Sequence, residues 1–200
     1  MKLRIISGEL KGRRITIPDN TACRPTLERV RESVAEIVKK KVRGATAADL
    51  CAGSGAFGFE MLSRGAGQVD FVEADKIRSI RIADVARDLG LGGRAKIVRD
   101  DVRKFISGRV DLYDIVYYDP PYDNADLREL IPQLLPLLKT GGLLIYERRR
   151  GQREKKSAGT GGKLGIKDVR VYSDTVIEIY GNDNHGSGII DVDSDLSGDV

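Results

Sequence analysis

Residues 45–62 read ATAADLCAGSGAFGFEML, and the division of that string decides the fold. Its first six residues are small or apolar apart from Asp49, which suits a buried strand. The end, AFGFEML, suits a helix. Between them GSGAFG sets Gly53, Gly55 and Gly58 at G-x-G-x-x-G spacing. Glycine is wanted where a chain leaves a strand, turns sharply and enters a helix with its backbone close to a ligand. The unpaired N–H groups of that helix start then face the ligand. Strand, glycine turn and helix together open a βαβ unit.

The alternation continues outward. QVDFVEA predicts a second strand, residues 76–90 a helix stopped by GLGG, AKIVRD a third strand and 102–107 a short helix. YDIVYYD predicts a fourth strand, and residues 125–138 a helix interrupted near Pro132 and Pro136. GGLLIYER predicts a fifth strand, with DVRV and DTVIEIY as a terminal hairpin. Upstream, residues 3–7 and 13–17 predict a small β-hairpin, and residues 27–42 a helix capped by Thr26 with Val30, Val34, Ile37 and Val38 as its apolar stripe. Strands separated by helices pair in parallel through right-handed crossovers, so the expected fold is α/β, a doubly wound, three-layer αβα sheet with a small N-terminal hairpin and helix extension. Three regions follow: a basic extension over 1–43, the sheet domain over 44–181, and an acidic tail over 182–200 expected to be disordered. Residues 151–165, rich in Gly, Lys and Ser, predict a mobile loop.

Two hundred residues suffice for one domain with a full core. No run of about 18 apolar residues occurs and the N-terminus lacks signal-peptide features, so a cytoplasmic protein is expected. Cys23, Cys51 and the lone His185 are too few for a disulfide scaffold or a metal site. The net charge of +4 hides a division. Residues 1–43 carry twelve Lys/Arg against five Asp/Glu, residues 147–170 nine against three, and residues 181–200 five Asp and no Lys or Arg. Clustered cations beside a nucleotide-binding core suggest a phosphate-bearing partner, since each neutralised phosphate releases counterions.

The glycine turn alone does not decide the chemistry. With Glu73 twenty residues beyond Gly53, placed to accept ribose hydroxyls, it fits a nicotinamide dinucleotide and S-adenosylmethionine (SAM) equally. Asp49 and Asp101 also end strands, as does Asp119, and the strand ends of a doubly wound sheet line one crevice. Four carboxylates are poor neighbours for a pyrophosphate, whereas a cofactor with sulfonium, ammonium and adenine amino groups finds acceptors. Residues 119–122 read DPPY. Methyl transfer to an exocyclic amino nitrogen requires that group to be held at attack distance with its hydrogens accepted. The Asp119 carboxylate and the Pro120 carbonyl offer two acceptors, Pro121 stiffens the corner, and Tyr122 offers a face for a flipped base.

These stretches resemble the motifs of class I SAM-dependent methyltransferases that act on amino nitrogens: DLCAGSGAFGFEMLSRGA, FVEAD, RDD and YYDPPY. LRIISGELKGRRITIP, RPTLERVRESVAEIV and VYSDTVIEIYG further resemble the bacterial 16S rRNA guanine-N2 methyltransferase (RsmD) family, from about residue 2 to 181. The resemblance implies a Rossmann-like SAM methyltransferase sheet with Asp49, Gly53 and Gly55 around the methionine part of SAM, Glu73 on its ribose and Asp101 near adenine. It also implies DPPY as the catalytic loop and a guanine of 16S rRNA, within a small-subunit particle, as substrate. Two departures stand out: Cys51 where an aromatic is expected, and Asp100 where a glycine is usual. Lys11, Arg13, Arg14 and Arg24 are the expected rRNA contacts, although Arg24 and Thr26 fit equally a role in bracing the active site. Methylation of DNA at adenine N6 or cytosine N4 is the sibling alternative, and a nucleotide-binding protein or oxidoreductase without methyl transfer is the other.

Overall fold

Thr46–Leu50 form the third strand, β3, of the computed structural model, which describes residues 2–16, 28–110, 112–121, 127, 129–151 and 165–182. Two short strands precede it, β1 (Lys2–Arg4) and β2 (Arg14–Thr16), paired antiparallel, and helix α1 (Glu28–Val38) follows them. After β3 come α2 (Ala56–Ser63), β4 (Gln68–Val72), α3 (Lys76–Asp88), β5 (Ala95–Val98), α4 (Val102–Ile106) and β6 (Tyr113–Tyr118). Strand β7 spans Leu138–Arg149, and β8 (Ile166–Tyr172) and β9 (Thr175–Gly181) close the sheet. Its order is β5-β4-β3-β6-β7-β9-β8, parallel from β5 to β7 and antiparallel across β7, β9 and β8. The chain runs outward from β3 to β5 and then returns beside β3 as β6. The topological switch point, where a doubly wound sheet opens its crevice, therefore lies between β3 and β6.

Both faces of the sheet are covered, which is why its central strands read as unbroken apolar runs. Alternate residues divide between two cores. Ala47, Ile115, Tyr117 and Ile145 join Val30, Val34, Phe59 and Leu62 on one face, whereas Ala48, Val116, Tyr118 and Leu144 join Phe105, Ile131 and Leu134 on the other.

Three elements differ from the sequence expectation. The hairpin strands are shorter than 3–7 and 13–17 because the chain turns away to α2. The buried Glu60 carboxylate accepts the Ile6 N–H at 2.8 Å and the Ser7 N–H at 3.1 Å, so neither is left for the ladder. Ser63 receives the Leu10 N–H at 3.0 Å, and a Cβ on Gly8 would lie 1.9 Å from the Ser63 carbonyl oxygen. Helix α1 stops at Val38 rather than 42, its end tightened by the Lys41 N–H to the Val38 carbonyl at 2.7 Å. The stretch expected over 125–138 is indeed interrupted near both prolines, but among the described residues it is two short separate turns, Ile131–Leu134 and Leu135–Leu137, each with its proline in the first turn, where it forfeits no intrahelical bond. The expected mobile loop over 151–165, save its ends, and the acidic tail beyond residue 182 lie outside the described residues.

Candidate active site

The chain leaves β3 through three left-handed residues in five positions: Cys51 at φ 61°, Gly53 at 56° and Gly55 at 72°. Glycine adopts this conformation freely, but Cys51 is held there against a steric cost, the kind of strain that gathers at functional turns. Gly58 serves packing: a Cβ there would come 2.3 Å from the Phe71 ring.

Gly55 caps α2 without a side chain, so the unpaired N–H groups of the first turn need an acceptor from elsewhere. Asp49 supplies it, with Oδ2 accepting the Gly58 N–H at 2.9 Å from a side chain that is fully buried. Burial pushes the Asp49 pKa up to about 8, opposed by the Gly58 bond and reinforced by Glu73.

Glu73, directly after β4, is buried and already engaged. Its Oε2 accepts the Gly53 N–H at 2.8 Å, while Oε1 accepts the Asp75 N–H at 2.8 Å and the Arg78 guanidinium at 2.9 Å. A carboxylate has about four acceptor positions, so one remains for a ribose hydroxyl unless Arg78 moves. Asp101 caps α4, its Oδ1 taking the Arg103 N–H at 2.8 Å and the guanidinium binding both oxygens. Those bonds to Arg103 hold its pKa down at about 2. Asp100 in turn accepts the Asp101 N–H at 2.8 Å.

Asp119 follows β6, half-buried, with Pro120 buried and Pro121 exposed; Tyr122 lies outside the described residues. The strand register sets Leu50 beside both Val72 and Tyr118, so the turn after β3, Glu73 and Asp119 share one edge. Electrostatics give the same grouping. Burial raises the Cys51 thiol pKa, and the carboxylates of Glu73, Asp119, Asp49 and Asp101 raise it further, in that order. All four strand-end acids are thus near enough to act on Cys51.

Three residues escaped the sequence reading. The Phe57 ring stacks on Tyr117 with centroids 4.1 Å apart and planes 14° from parallel, tying the cofactor-side helix to the DPPY strand. Tyr117 donates its hydroxyl to Glu147, a buried acid near the end of β7. The last paired residues of β6 and β7 are Tyr118 and Tyr146, and Asp119 and Glu147 directly follow them in the chain. Glu147 thus repeats the strand-end acid pattern a fifth time, a signal present in LLIYER. Of the expected RNA contacts, Lys11, Arg13 and Arg14 are exposed, and Arg24 and Thr26 lie outside the described residues.

A mainly parallel seven-stranded sheet with its switch point between β3 and β6, and acids ringed about the glycine turn, defines the Rossmann-like methyltransferase class. Residues 3–181 match the family described as conserved hypothetical protein 95, and the chain belongs to that family. Ribosomal RNA small subunit methyltransferase D of Escherichia coli K12 is 33% identical over 146 residues, 73% of this chain and 71% of that protein. YlbH of Bacillus subtilis is 30% identical over 183 residues, 89% of this chain and 98% of that protein. Among solved structures, yhhF of Escherichia coli superposes with a TM-score of 0.79 at 27% identity, covering 92% of this chain and all of that one, 100%.

Proposed function

We propose that this chain transfers a methyl group from SAM to the exocyclic N2 amino group of a guanine in 16S rRNA, presented within a small-subunit particle. The observation that carries the reading is the shared edge at the switch point, where the register brings together the turn after β3, Glu73 and Asp119, with Asp49 and Asp101 close enough to act on Cys51. That edge suits a ligand rich in hydrogen-bond donors, with Arg78 and Arg103 already offsetting the charge of Glu73 and Asp101. The left-handed Gly53 and Gly55 let such a ligand approach the backbone, and Glu73 keeps an acceptor position for its ribose. The relative from Escherichia coli is named for small-subunit ribosomal RNA, and the family resemblance supplies the guanine N2 specificity.

Bound SAM supplies a methyl group already activated for displacement. What the chain contributes is position. Asp119 and the Pro120 carbonyl accept the two amino hydrogens, so the nitrogen lone pair is withdrawn from conjugation with the ring and faces the methyl. Asp119 then takes the proton shed after transfer. Tyr122 stacks on the flipped base. Glu147 fixes the Tyr117 hydroxyl and so keeps the Phe57–Tyr117 stack in register beneath the corner.

Mass-spectrometric mapping of 16S rRNA from a strain lacking the gene tests the reading. One N2-methylguanosine should disappear and return on complementation. Unchanged 16S rRNA would overturn it, and calorimetric binding of NAD(H) in place of SAM would transfer the site to the oxidoreductase alternative.

A further inference from the structure

A groove of about 320 Å³ separates the hairpin from helix α3, lined by Arg13 and Arg14 on one side and Arg81, Asp84, Val85 and Asp88 on the other. Its charges are not balanced across it. Asp84 is bound by Arg87 at 2.7 Å, and Asp88 lies 4.0 Å from the same guanidinium. Arg13, Arg14 and Arg81 have no ion pair among the described residues. Arg87 sets one charge against both acids from outside the groove, so the lining, three arginines against Asp84 and Asp88, keeps a net positive charge. Three such groups repel one another unless an anion sits between them. Guanidinium forks suit phosphate, which they bind through paired N–H donors.

We infer that this groove is a second rRNA contact, a phosphate-backbone cradle in which Arg81 completes the pair Arg13 and Arg14. The inference rests on the rRNA reading above and adds to it a residue, a location and a path. Helix α3 starts three residues after Glu73 at the crevice, and Arg81 stands roughly 8 Å further along its axis. Ile77 and Ile80, 61% and 50% exposed, precede Arg81 on that helix. Spaced at i, i+3 and i+4, the three share one side, so an RNA strand leaving the crevice crosses apolar surface before its phosphates reach the arginines. Asp84 and Asp88 would repel that strand were Arg87 absent, which gives Arg87 a screening part.

The test is a salt titration of binding to naked 16S rRNA and to small-subunit particles, with Arg81→Gln, the double variant Arg13→Gln/Arg14→Gln, and Arg87→Ala. Arg81→Gln should weaken rRNA binding several-fold near physiological salt and reduce the slope of log K against log salt by about one, with SAM affinity and Tm unchanged. Arg87→Ala should weaken binding although Arg87 itself is not in the groove. An unchanged slope for Arg81→Gln, with a reduced one for the hairpin double variant, would overturn the cradle and leave the rRNA reading standing. Weakened binding to particles but not to naked rRNA would also overturn it, in favour of a protein contact. If the wild-type chain binds neither substrate in a salt-dependent way, it is the underlying reading that fails.

Discussion

Asp49, Glu73 and Asp101 each accept hydrogen bonds from the protein's own backbone or arginines, whereas Arg13, Arg14 and Arg81 face their groove with no ion pair among the described residues. In the crevice the acids proposed for the cofactor also hold the glycine turn, α2 and α4 in place. Among the described residues the side chains of the groove arginines make no ion pair. Substitutions in the crevice should therefore damage stability along with binding, while those in the groove should affect binding alone.

The largest expected departure belongs to Asp119, the acid proposed to meet the reacting amino group. Asp119→Ala should lower the single-turnover rate by roughly 10²–10³ while SAM affinity stays near wild type. A near wild-type rate would reduce the DPPY corner to a turn. Glu73→Ala should show the crevice's double character. Loss of a charge-assisted bond to the ribose costs about 1.5–3 kcal/mol in SAM affinity. The Gly53 and Asp75 N–H groups lose their acceptor at the same time, so calorimetry should show a lower Tm as well. Weaker SAM binding at unchanged Tm would break the contrast between the two regions.

Tyr122→Ala should impair capture of the flipped base by about 1–3 kcal/mol, visible as a raised KM for the ribosomal substrate, with Tyr122→Phe close to wild type. A further expectation concerns protons. Asp49 is raised to about 8, so above the unfolded value of 3.8 the folded chain retains a proton that the unfolded chain has released. This contribution to stability is full below about 4 and is lost as pH rises toward 8. Pairing with a cofactor ammonium needs the ionised form, so SAM affinity should rise with pH up to about 8. Asp49→Asn, which keeps an acceptor for the Gly58 N–H, should flatten both profiles. A pH-independent wild-type affinity would remove Asp49 from the cofactor.

What the sequence made legible was local. The glycine spacing, the apolar strand runs and the acid closing each strand are consequences of neighbouring residues, and β3 to β7 follow from them. Its failures were tertiary. Nothing near Ile6 or Ser7 announces that their N–H groups go to Glu60, so the hairpin ladder appeared longer than it is. Pro132 looks the same whether it breaks a helix or begins one. Asp101 was legible as either a cap or a ligand, and its carboxylate caps α4 while gripping Arg103. Arg81 carries no local mark, because its importance lies in meeting Arg13 and Arg14 across a groove.

The Glu60 anchor also reverses the order of assembly relative to the order of synthesis. Ile6 and Ser7 are made 54 and 53 residues before the carboxylate that receives them. At roughly 5–20 residues per second, that is a wait of about 3–11 s. An isolated two-stranded hairpin is marginal in water. The basic arm therefore becomes a shaped surface only once the helix behind the glycine turn exists.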